Sequence, residues 1–331
     1  MPNGGQLAGP VTQCVSRINS VEGYLNAVNE VFQRICPVGR SELWYRGQNQ
    51  SANPTGFNLT PSIARSGRNP LMEIIYLSKF KSYAIPFVQE LPSFPMPNGS
   101  DAYWHWLFMM QHYGVPTRLL DWSRDALTAL FFALDGRGPN DAGKDAAVWI
   151  LNPVRLNEAF SFHSFVKPGY IPNVNERIVN LYFGPNAEIP SDKKPAAVIG
   201  PLNNTHIIAQ RGVFTVFPHD KEIKSLNLFS DASNYLAEIC IAAESISLIS
   251  EQLRRYGVTR FTLYPDITEV SNQITLEAEE EGQLPVTVSD ANQEIATQSV
   301  KINQGRPLFT GGAFKETGSS FLSLKNNESI N

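Results

Sequence analysis

The irregular alternation of short apolar stretches with segments of helical period constrains the fold of this chain more than any other feature. Strand-like stretches, rich in β-branched and aromatic residues and flanked by turn residues, occur at 41–48, 146–153, 212–218 and 237–243. Helical spacing of apolar residues occurs at 15–35, 70–90, 101–114, 125–134 and 247–258, and residues 260–270 predict a strand followed by a helix. This irregular order does not fit a doubly wound parallel sheet. We therefore predict an α+β fold with mixed, mostly antiparallel sheets and surrounding helices.

The composition divides the chain into three parts. Residues 1–12 are a lead-in rich in Gly and Pro, residues 13–282 form the predicted α+β domain, and residues 283–331 are a polar tail or interaction arm. Within the domain, residues 48–69 are mostly loop, and residues 154–200 have too little pattern for elements to be assigned.

Charge and cysteine content bear on the partners and the location of the chain. The 331 residues carry a net charge of −4, which gives no overall attraction to nucleic acid or to an anionic membrane. No apolar run is long enough to span a bilayer, and the first residues lack the pattern of a signal peptide. Cys14, Cys36 and Cys240 are widely spaced and odd in number, so we predict no disulfide and a cytoplasmic location. The five histidines have no metal-ligand spacing, so we predict no metal site.

The common catalytic signatures do not occur in this sequence, but WYRGQ at 44–48 is a candidate for anion binding. There is no phosphate loop with Gly-Lys-Ser, no G-x-G-x-x-G after a strand, no G-x-S-x-G and no H-E-x-x-H. An Arg at a strand end followed by Gly can project its guanidinium into a cleft, while the Gly turns the backbone or allows a close approach. The alternative is that Arg46 only forms a salt bridge with a nearby Asp.

A second polar stretch, HYGVPTRLLDWS at 112–123, stands directly before the apolar helix predicted for 125–134. In one interpretation its polar groups only end one helix and begin the next, with Ser123 or Asp121 as the helix cap. In the other interpretation the stretch forms one wall of a cleft. A third polar element, Gln210 and Arg211, precedes the strand at 212–218. Three polar strand edges in one chain indicate that they share a cleft.

These stretches together resemble the FRG domain, a family named for an aromatic-Arg-Gly motif near its N-terminus. The resemblance rests on YRGQ at 45–48, HYGVPTRLLDWSRDALTALFFAL at 112–134, AQRGVFTVFP at 209–218 and LYPDI at 263–267. It covers about residues 42–273, and its central signature, close to H-Y-G-x-P-T-R-L-L-D-W, is highly specific.

The chain also resembles, more distantly, the arginine-type ADP-ribosyltransferases, which open with an aromatic-Arg-Gly strand end. Those enzymes continue with a strand carrying a Ser-Thr-Ser-like element before a helix, and then with a strand carrying a catalytic Glu. Here LLDWS followed by ALTALFFAL has the second layout, and Gln210 stands at the place of the third. The resemblance implies a split sheet and NAD as a substrate, without a metal; it is an analogy at the level of the fold.

The same resemblance implies roles for individual residues. Arg46 would bind the phosphates of NAD, His112 and Tyr113 would line the nicotinamide side, and Gln210 would orient the ribose. The implied NAD-binding residues are Tyr45, Arg46, Gly47, His112, Tyr113, Thr117, Arg118, Trp122 and Ser123, and the implied catalytic residues are Arg46, Asp121 and Gln210.

Gln210 departs from the pattern of those enzymes, because a neutral amide cannot stabilise the positive charge of an oxocarbenium-like state as a carboxylate does. Asp121 is our first choice for the missing acid, and Glu238 is the second.

The expected function is that of an ADP-ribosyltransferase-like FRG-domain protein. It would cleave NAD and transfer ADP-ribose to a macromolecule, either protein or nucleic acid, or to water, as a toxin or phage-defence effector. Such a role leaves room for an inhibitory partner protein and needs no membrane. The rival is a non-catalytic module that binds a nucleotide or a protein and regulates an associated effector. A nuclease is disfavoured, because the chain has neither a basic run nor a carboxylate-lysine cluster.

Overall fold

The computed structural model describes residues 14–36, 42–52, 57–65, 67–88, 101–159, 169–187, 194–201 and 205–282. The chain divides into two compact units, residues 1–273 and 274–331, and the fold and the site described below belong to the first. The predicted lead-in at 1–12 and the predicted tail at 283–331 lie outside the described residues. No helix within the described ranges is both long enough and apolar enough to cross a membrane.

Seven strands of the described residues form one open sheet. They are β1 (Cys14–Ile18), β2 (Trp44–Gln48), β3 (Leu119–Ser123), β4 (Ala146–Leu151), β5 (Ala196–Val198), β6 (Gly212–Val216) and β7 (Leu236–Ile241). Their order across the sheet is β1-β7-β4-β2-β3-β6-β5. Only β1 and β7 are parallel; the other neighbours are antiparallel. The prediction of a mixed, mostly antiparallel α+β fold is therefore confirmed.

The described part of the chain contains ten α-helices, of which the last continues from the first unit into the second. They are α1 (Val21–Ile35), α2 (Glu73–Val88), α3 (Asp101–His112), α4 (Ala126–Leu134), α5 (Pro153–Glu158), α6 (Arg177–Phe183), α7 (Thr205–Ala209), α8 (Ile246–Arg255), α9 (Arg260–Leu263) and α10 (Ile267–Gly282).

Both faces of the sheet are buried, as the alternation of side chains along β4 shows. Val148 and Ile150 pack in a core with residues of α1, α4 and α8. Trp149 and Leu151 point the other way and pack in a second core with residues of α3 and α6. Successive strand residues face opposite sides of a sheet, so a strand that is apolar throughout, such as β4, is covered on both sides.

Three sequence-based assignments need correction. Residues 15–35 are not one helix: the first of them belong to β1, and Ser20 starts α1 by accepting a hydrogen bond from the Gly23 N–H. Residues 260–263 form α9 and not a strand, because the Thr259 hydroxyl caps a helical turn there. The weakly patterned region 154–200 contains α6, β5 and most of α5.

The prediction of no disulfide is also wrong. Cys14 and Cys240 are bonded to each other, with their Cα atoms 5.9 Å apart, although 226 positions separate them in sequence. The parallel pairing of β1 with β7 brings the two residues together. Cys36 is the remaining cysteine, and it is buried.

The pairing between neighbouring strands is shortest between β2 and β3. Five residue pairs join β2 to β4, whereas a single pair, Tyr45 with Ser123, joins β2 to β3. Beyond that pair the two strands do not form a ladder, so a gap opens in the middle of the sheet next to Arg46 and Asp121.

Candidate functional site

The glycine of WYRGQ allows a helix to approach the sheet closely. A Cβ placed on Gly47 would lie 2.8 Å from the carbonyl carbon of Phe132 and closer still to the Ala129 carbonyl oxygen and the Ala133 nitrogen. Because these are backbone atoms of α4, any larger residue would push the helix away from β2. Of the two uses of this glycine, a turn or a close approach, the structure therefore shows the close approach.

Arg46 spans the gap between β2 and β3. Its Nη1 donates to the Asp121 backbone carbonyl at 2.6 Å and lies 3.9 Å from the Asp121 carboxylate Oδ2. The side chain is only 17 % exposed, and its buried Nε has no hydrogen-bond partner among the described residues. Burial lowers the pKa of Arg46 to about 10, with a smaller contribution from Arg65 that the Asp121 carboxylate opposes. The guanidinium is still cationic at neutral pH, and it retains an unused donor.

A cavity of about 280 Å³ opens beside Arg46, and we call it the arginine chamber. It is lined by Tyr45, Arg46, Gly47, Asp121, Trp122, Ser123 and Gln210, together with Ala129 and Phe132 of α4. Seven residues predicted as site residues from three separate parts of the sequence therefore share one cavity.

A second cavity, of about 420 Å³, adjoins the first, and we call it the ring chamber. The two chambers share Asp121, Trp122, Phe132 and Gln210. The other residues that line the ring chamber are Phe108, Gln111, His112, His206, Ile207, Gly212, Phe214 and Tyr264. The chambers are thus two parts of one cleft, with Asp121 and Gln210 at their junction.

Aromatic and imidazole rings contact one another along the ring chamber. The ring centroids of His112 and His206 are 5.2 Å apart, and those of His206 and Tyr264 are 5.8 Å apart. Phe132 contacts Tyr264 at 5.8 Å with an interplanar angle of 89°. These are edge-to-face contacts, which hold the rings in fixed orientations.

Asp121 is the one carboxylate among the described residues that line the two chambers. Its Oδ2 accepts a hydrogen bond of 2.8 Å from the Gln111 Nε2, and the side chain is about half exposed. Gln111 in turn accepts a hydrogen bond from the Thr117 hydroxyl. The carboxylate is therefore both oriented and open to the cleft.

Gln210 is fixed to β3 and to α9. The Ser123 hydroxyl donates to the Gln210 carbonyl at 2.7 Å, and the Gln210 Nε2 donates to the Leu263 carbonyl at 3.0 Å. Ser123 does not cap α4, and neither does Asp121; Asp125 accepts from the Thr128 N–H instead. The side-chain oxygen of Gln210 has no role in these bonds, so it can accept a hydrogen bond from a ligand.

The turn that follows Gln210 is strained. Arg211 has a φ of 50°, a left-handed conformation that residues other than glycine rarely adopt. The Arg124 N–H donates to the Arg211 carbonyl at 3.1 Å, which ties this turn to the end of β3. Such a backbone conformation persists where surrounding contacts hold it, and here those contacts place Gln210 at the cleft.

Three residues predicted to bind NAD line neither chamber. Tyr113 is 53 % exposed at the end of α3, and Thr117 is buried beside Gln111. Arg118 is buried in an ion pair with Glu73 at 3.0 Å and donates to the Tyr103 hydroxyl at 2.7 Å. Arg118 and Thr117 therefore have structural roles and do not form a wall of the cleft.

Glu238, the second choice for an acid, also lies outside the cleft. It is fully buried in β7, where its Oε1 accepts from the Ser51 hydroxyl at 2.9 Å and from the Ala52 N–H at 2.8 Å. Burial raises the pKa of this carboxyl. Asp121 is therefore the better placed of the two candidate acids.

Part of the chain matches a known protein family. Residues 41–142 match the family model of the FRG domain. The FRG match covers β2, β3 and α4, and thus Arg46 and Asp121, but it ends before Gln210, which the wider predicted resemblance included. No curated protein and no solved structure matches the chain.

Eight of the residues that line the ring chamber were not predicted from the sequence: Phe108, Gln111, Phe132, His206, Ile207, Gly212, Phe214 and Tyr264. Tyr264 belongs to LYPDI, which was noted as a family motif without a role. His206 stands one helical turn before Gln210, since the Gln210 N–H donates to the His206 carbonyl at 2.8 Å. Residues four apart share one face of a helix, so a search outward from Gln210 would have found His206.

Proposed function

We propose that the cleft binds NAD and cleaves the bond between nicotinamide and ribose, as an ADP-ribosyltransferase-like FRG-domain protein. The observation that carries this proposal is the order of groups along the cleft. Arg46 lies in the arginine chamber, Asp121 and Gln210 lie at the junction, and His112 lies in the ring chamber. Diphosphate, ribose and nicotinamide follow one another in the same order along NAD. The gap between β2 and β3 is in keeping with the split sheet that the resemblance implies.

Arg46 would clamp the diphosphate. Guanidinium binds phosphate oxygens through paired hydrogen bonds, and these are strongest where water is excluded. The hydrogen bond to the Asp121 carbonyl holds the side chain in place before a ligand arrives, while the buried Nε lacks a partner within the described ranges. A phosphate oxygen would supply that partner.

Asp121 and Gln210 would act at the ribose. When the C1′–N bond breaks, its electron pair goes to the nicotinamide nitrogen, and positive charge develops on the ribose. The Asp121 carboxylate would stabilise that charge, and the Gln210 side-chain oxygen would accept a hydrogen bond from a ribose hydroxyl. The oxygen of water or of a macromolecular acceptor then bonds to C1′ and loses its proton. A role as toxin or phage-defence effector, held in check by an inhibitory partner, would follow from this activity.

The second candidate is a module that binds the nucleotide without cleaving it. The observation that favours it is that Gln210 is neutral and that Asp121 already accepts a hydrogen bond from Gln111. Such a module would be stabilised by NAD and by ADP-ribose alike, because a ligand that binds only the folded state raises its stability.

Nicotinamide release from NAD by the purified protein, with and without cell lysate as a source of acceptors, tests the proposal. We expect Arg46→Lys, Arg46→Ala and Asp121→Asn each to lower the rate about 10²–10³-fold, as the loss of an oriented group in such sites does. Arg255→Ala is the matched control, because Arg255 is a surface arginine on α8 whose side chain is 71 % exposed. Stabilisation of the wild type by ADP-ribose without any release of nicotinamide would favour the binding module.

A further inference from the structure

Helix α2 exposes more large apolar side chains than any other element in the described part of the chain. We call these exposed residues the α2 face: Ile74, Ile75, Tyr83, Ile85 and Phe87. The side of the helix toward α3 is packed, because Leu77 and Phe80 lie in an apolar cluster with Trp106. Apolar residues thus occur all round α2, a distribution typical of a helix that is covered on every side. An exposed apolar surface of this kind marks an interaction site.

The α2 face has a positive edge. The charged residues of α2 are one glutamate and two lysines. Glu73 is buried and paired with Arg118, so it does not offset the lysines at the surface. Lys79 is exposed, and Lys81 is partly buried. A partner whose apolar residues stand next to carboxylates would complement this surface, whereas a second copy of α2 would bring lysines against lysines.

A line of ring contacts joins α2 to the ring chamber. The ring centroids of Phe80 and Tyr113 are 6.4 Å apart, and those of Tyr113 and His112 are 4.9 Å apart. His112 lines the ring chamber, where it contacts His206. Tyr113 is about half exposed, so it lies at the surface between α2 and the ring chamber. A macromolecule bound at the α2 face would therefore be held next to the cleft.

We propose that the α2 face binds the macromolecular acceptor of ADP-ribose, and that this acceptor is a protein with an apolar, acidic segment. This inference rests on the proposed function and selects one of the acceptors left open there. The three isoleucines of the face favour a protein over a nucleic acid. The centre of a protein–protein interface is apolar and rich in aromatic residues, whereas interfaces with nucleic acid are polar and strongly basic.

The docked protein would present a nucleophilic side-chain atom to the ribose. Nicotinamide leaves with the electron pair of the C1′–N bond, and the nucleophilic atom bonds to C1′ and loses its proton. Docking next to the cleft raises the local concentration of that nucleophile, so that transfer to protein outcompetes transfer to water. The α2 face would thus control where ADP-ribose goes without taking part in the cleavage of NAD.

The experiment compares transfer to macromolecules with transfer to water. NAD that is radiolabelled in its adenylyl phosphate is incubated with the purified protein and cell lysate, and the label in the macromolecular fraction is measured before and after protease or nuclease treatment. Nicotinamide release without lysate measures the reaction with water. We expect label that protease removes and nuclease does not.

Two variants of the α2 face separate docking from catalysis. Ile75→Asp and Tyr83→Asp should each lower the labelling of protein at least about 10-fold, as the loss of an apolar anchor from an interface does. Nicotinamide release without lysate should not change. Leu248→Asp is the matched control, because Leu248 is an exposed apolar residue of α8, which packs on the opposite face of the sheet from α3. Thermal unfolding checks that each variant is folded.

A charge reversal tests the acidic character of the partner. Lys79→Glu should lower the labelling of protein about 3-fold at low ionic strength and less at high ionic strength, because salt screens charges at the edge of an interface. Lys221→Glu, which reverses an exposed lysine outside α2, is the matched control. A loss of labelling that does not depend on salt would contradict the acidic partner.

The outcomes distinguish this inference from the proposed function. Label that nuclease removes, or nicotinamide release without any labelled macromolecule, would overturn the protein acceptor and leave the NAD site standing. Equal labelling of protein by the wild type and by both α2 variants would place the docking surface elsewhere and overturn the role of α2. If the wild type releases no nicotinamide with or without lysate, the proposed function itself is refuted, and this inference falls with it.

Discussion

Replacing Gly47 by alanine should destabilise the protein more than the small size of the added methyl group suggests. The added methyl would lie 2.8 Å from the Phe132 carbonyl carbon and nearer still to two other backbone atoms of α4. Overpacking a core costs about 1–3 kcal/mol when side chains can give way. Here three backbone groups must move together, so we place the cost at the upper end, about 3 kcal/mol. For a domain of this size, that corresponds to a fall in Tm of about 6–12 °C.

The assay is thermal unfolding followed by circular dichroism, with Gly138→Ala as the matched control. A Cβ on Gly138 has only the Asp141 Oδ2 at 4.0 Å as a neighbour, and the backbone there has a φ of −114°, which alanine adopts freely. We expect the control to change Tm by less than about 2 °C. A Gly47→Ala protein as stable as the control would show that α4 does not need the close approach, and the account of the WYRGQ glycine would be wrong.

Three further predictions concern the buried ion pair and the two chambers. Glu73→Gln leaves the buried Arg118 without its anion, so it should lower the free energy of unfolding by about 3–5 kcal/mol, measured by denaturant titration. The affinity for ADP-ribose should not change, and a specific loss of that affinity would place Arg118 in the site. Gln210→Glu should raise nicotinamide release at least about 10-fold, since it adds a carboxylate at the junction of the chambers; an unchanged or lower rate would remove Gln210 from the reaction. Affinity for the carbocyclic analogue of NAD, which keeps the pyridinium ring but resists cleavage, should fall as the medium is made acidic. Burial lowers the pKa of His112, so its imidazole is neutral at neutral pH, and its protonation in acid places a cation beside the pyridinium. Calorimetry at about pH 7.5 and about pH 5.5 tests this, and an equal fall in His112→Asn would assign the effect to another group.

The sequence predicts a strand or helix well where that element has its own local pattern of residues. β4, β6 and β7 carry continuous β-branched and aromatic runs, and all three lie where the composition predicts them. β1 was missed because its five residues continue the apolar spacing of α1, and only Asn19 and Ser20, without a Gly or Pro, separate the two. β5 was missed because three residues, Ala196–Val198, carry too little pattern to be recognised.

The site could be predicted only in part, because its two chambers differ in how they are built. The arginine chamber is made mostly of strand ends whose polar residues interrupt apolar runs, and such interruptions are visible in a sequence. The ring chamber also contains apolar and aromatic residues of α3, α4, α7, β6 and the segment before α10, which look like ordinary core residues. The Cys14–Cys240 bond could not be predicted either, since it depends on a strand pairing that composition does not reveal.

Arg46 shows why the structural and the functional interpretation of a residue need not exclude each other. Its bond to the Asp121 carbonyl joins β2 to β3 where the ladder has only the Tyr45–Ser123 pair, so the salt-bridge alternative was partly right. The same bond fixes the guanidinium at the wall of the arginine chamber, with Nε still to be satisfied among the described residues. Loss of activity in Arg46→Ala could therefore follow from a widened gap in the sheet alone. Arg46→Lys keeps a cation that can reach the same carbonyl but lacks the paired donors, so a lysine variant that is stable and inactive would assign the loss to phosphate binding.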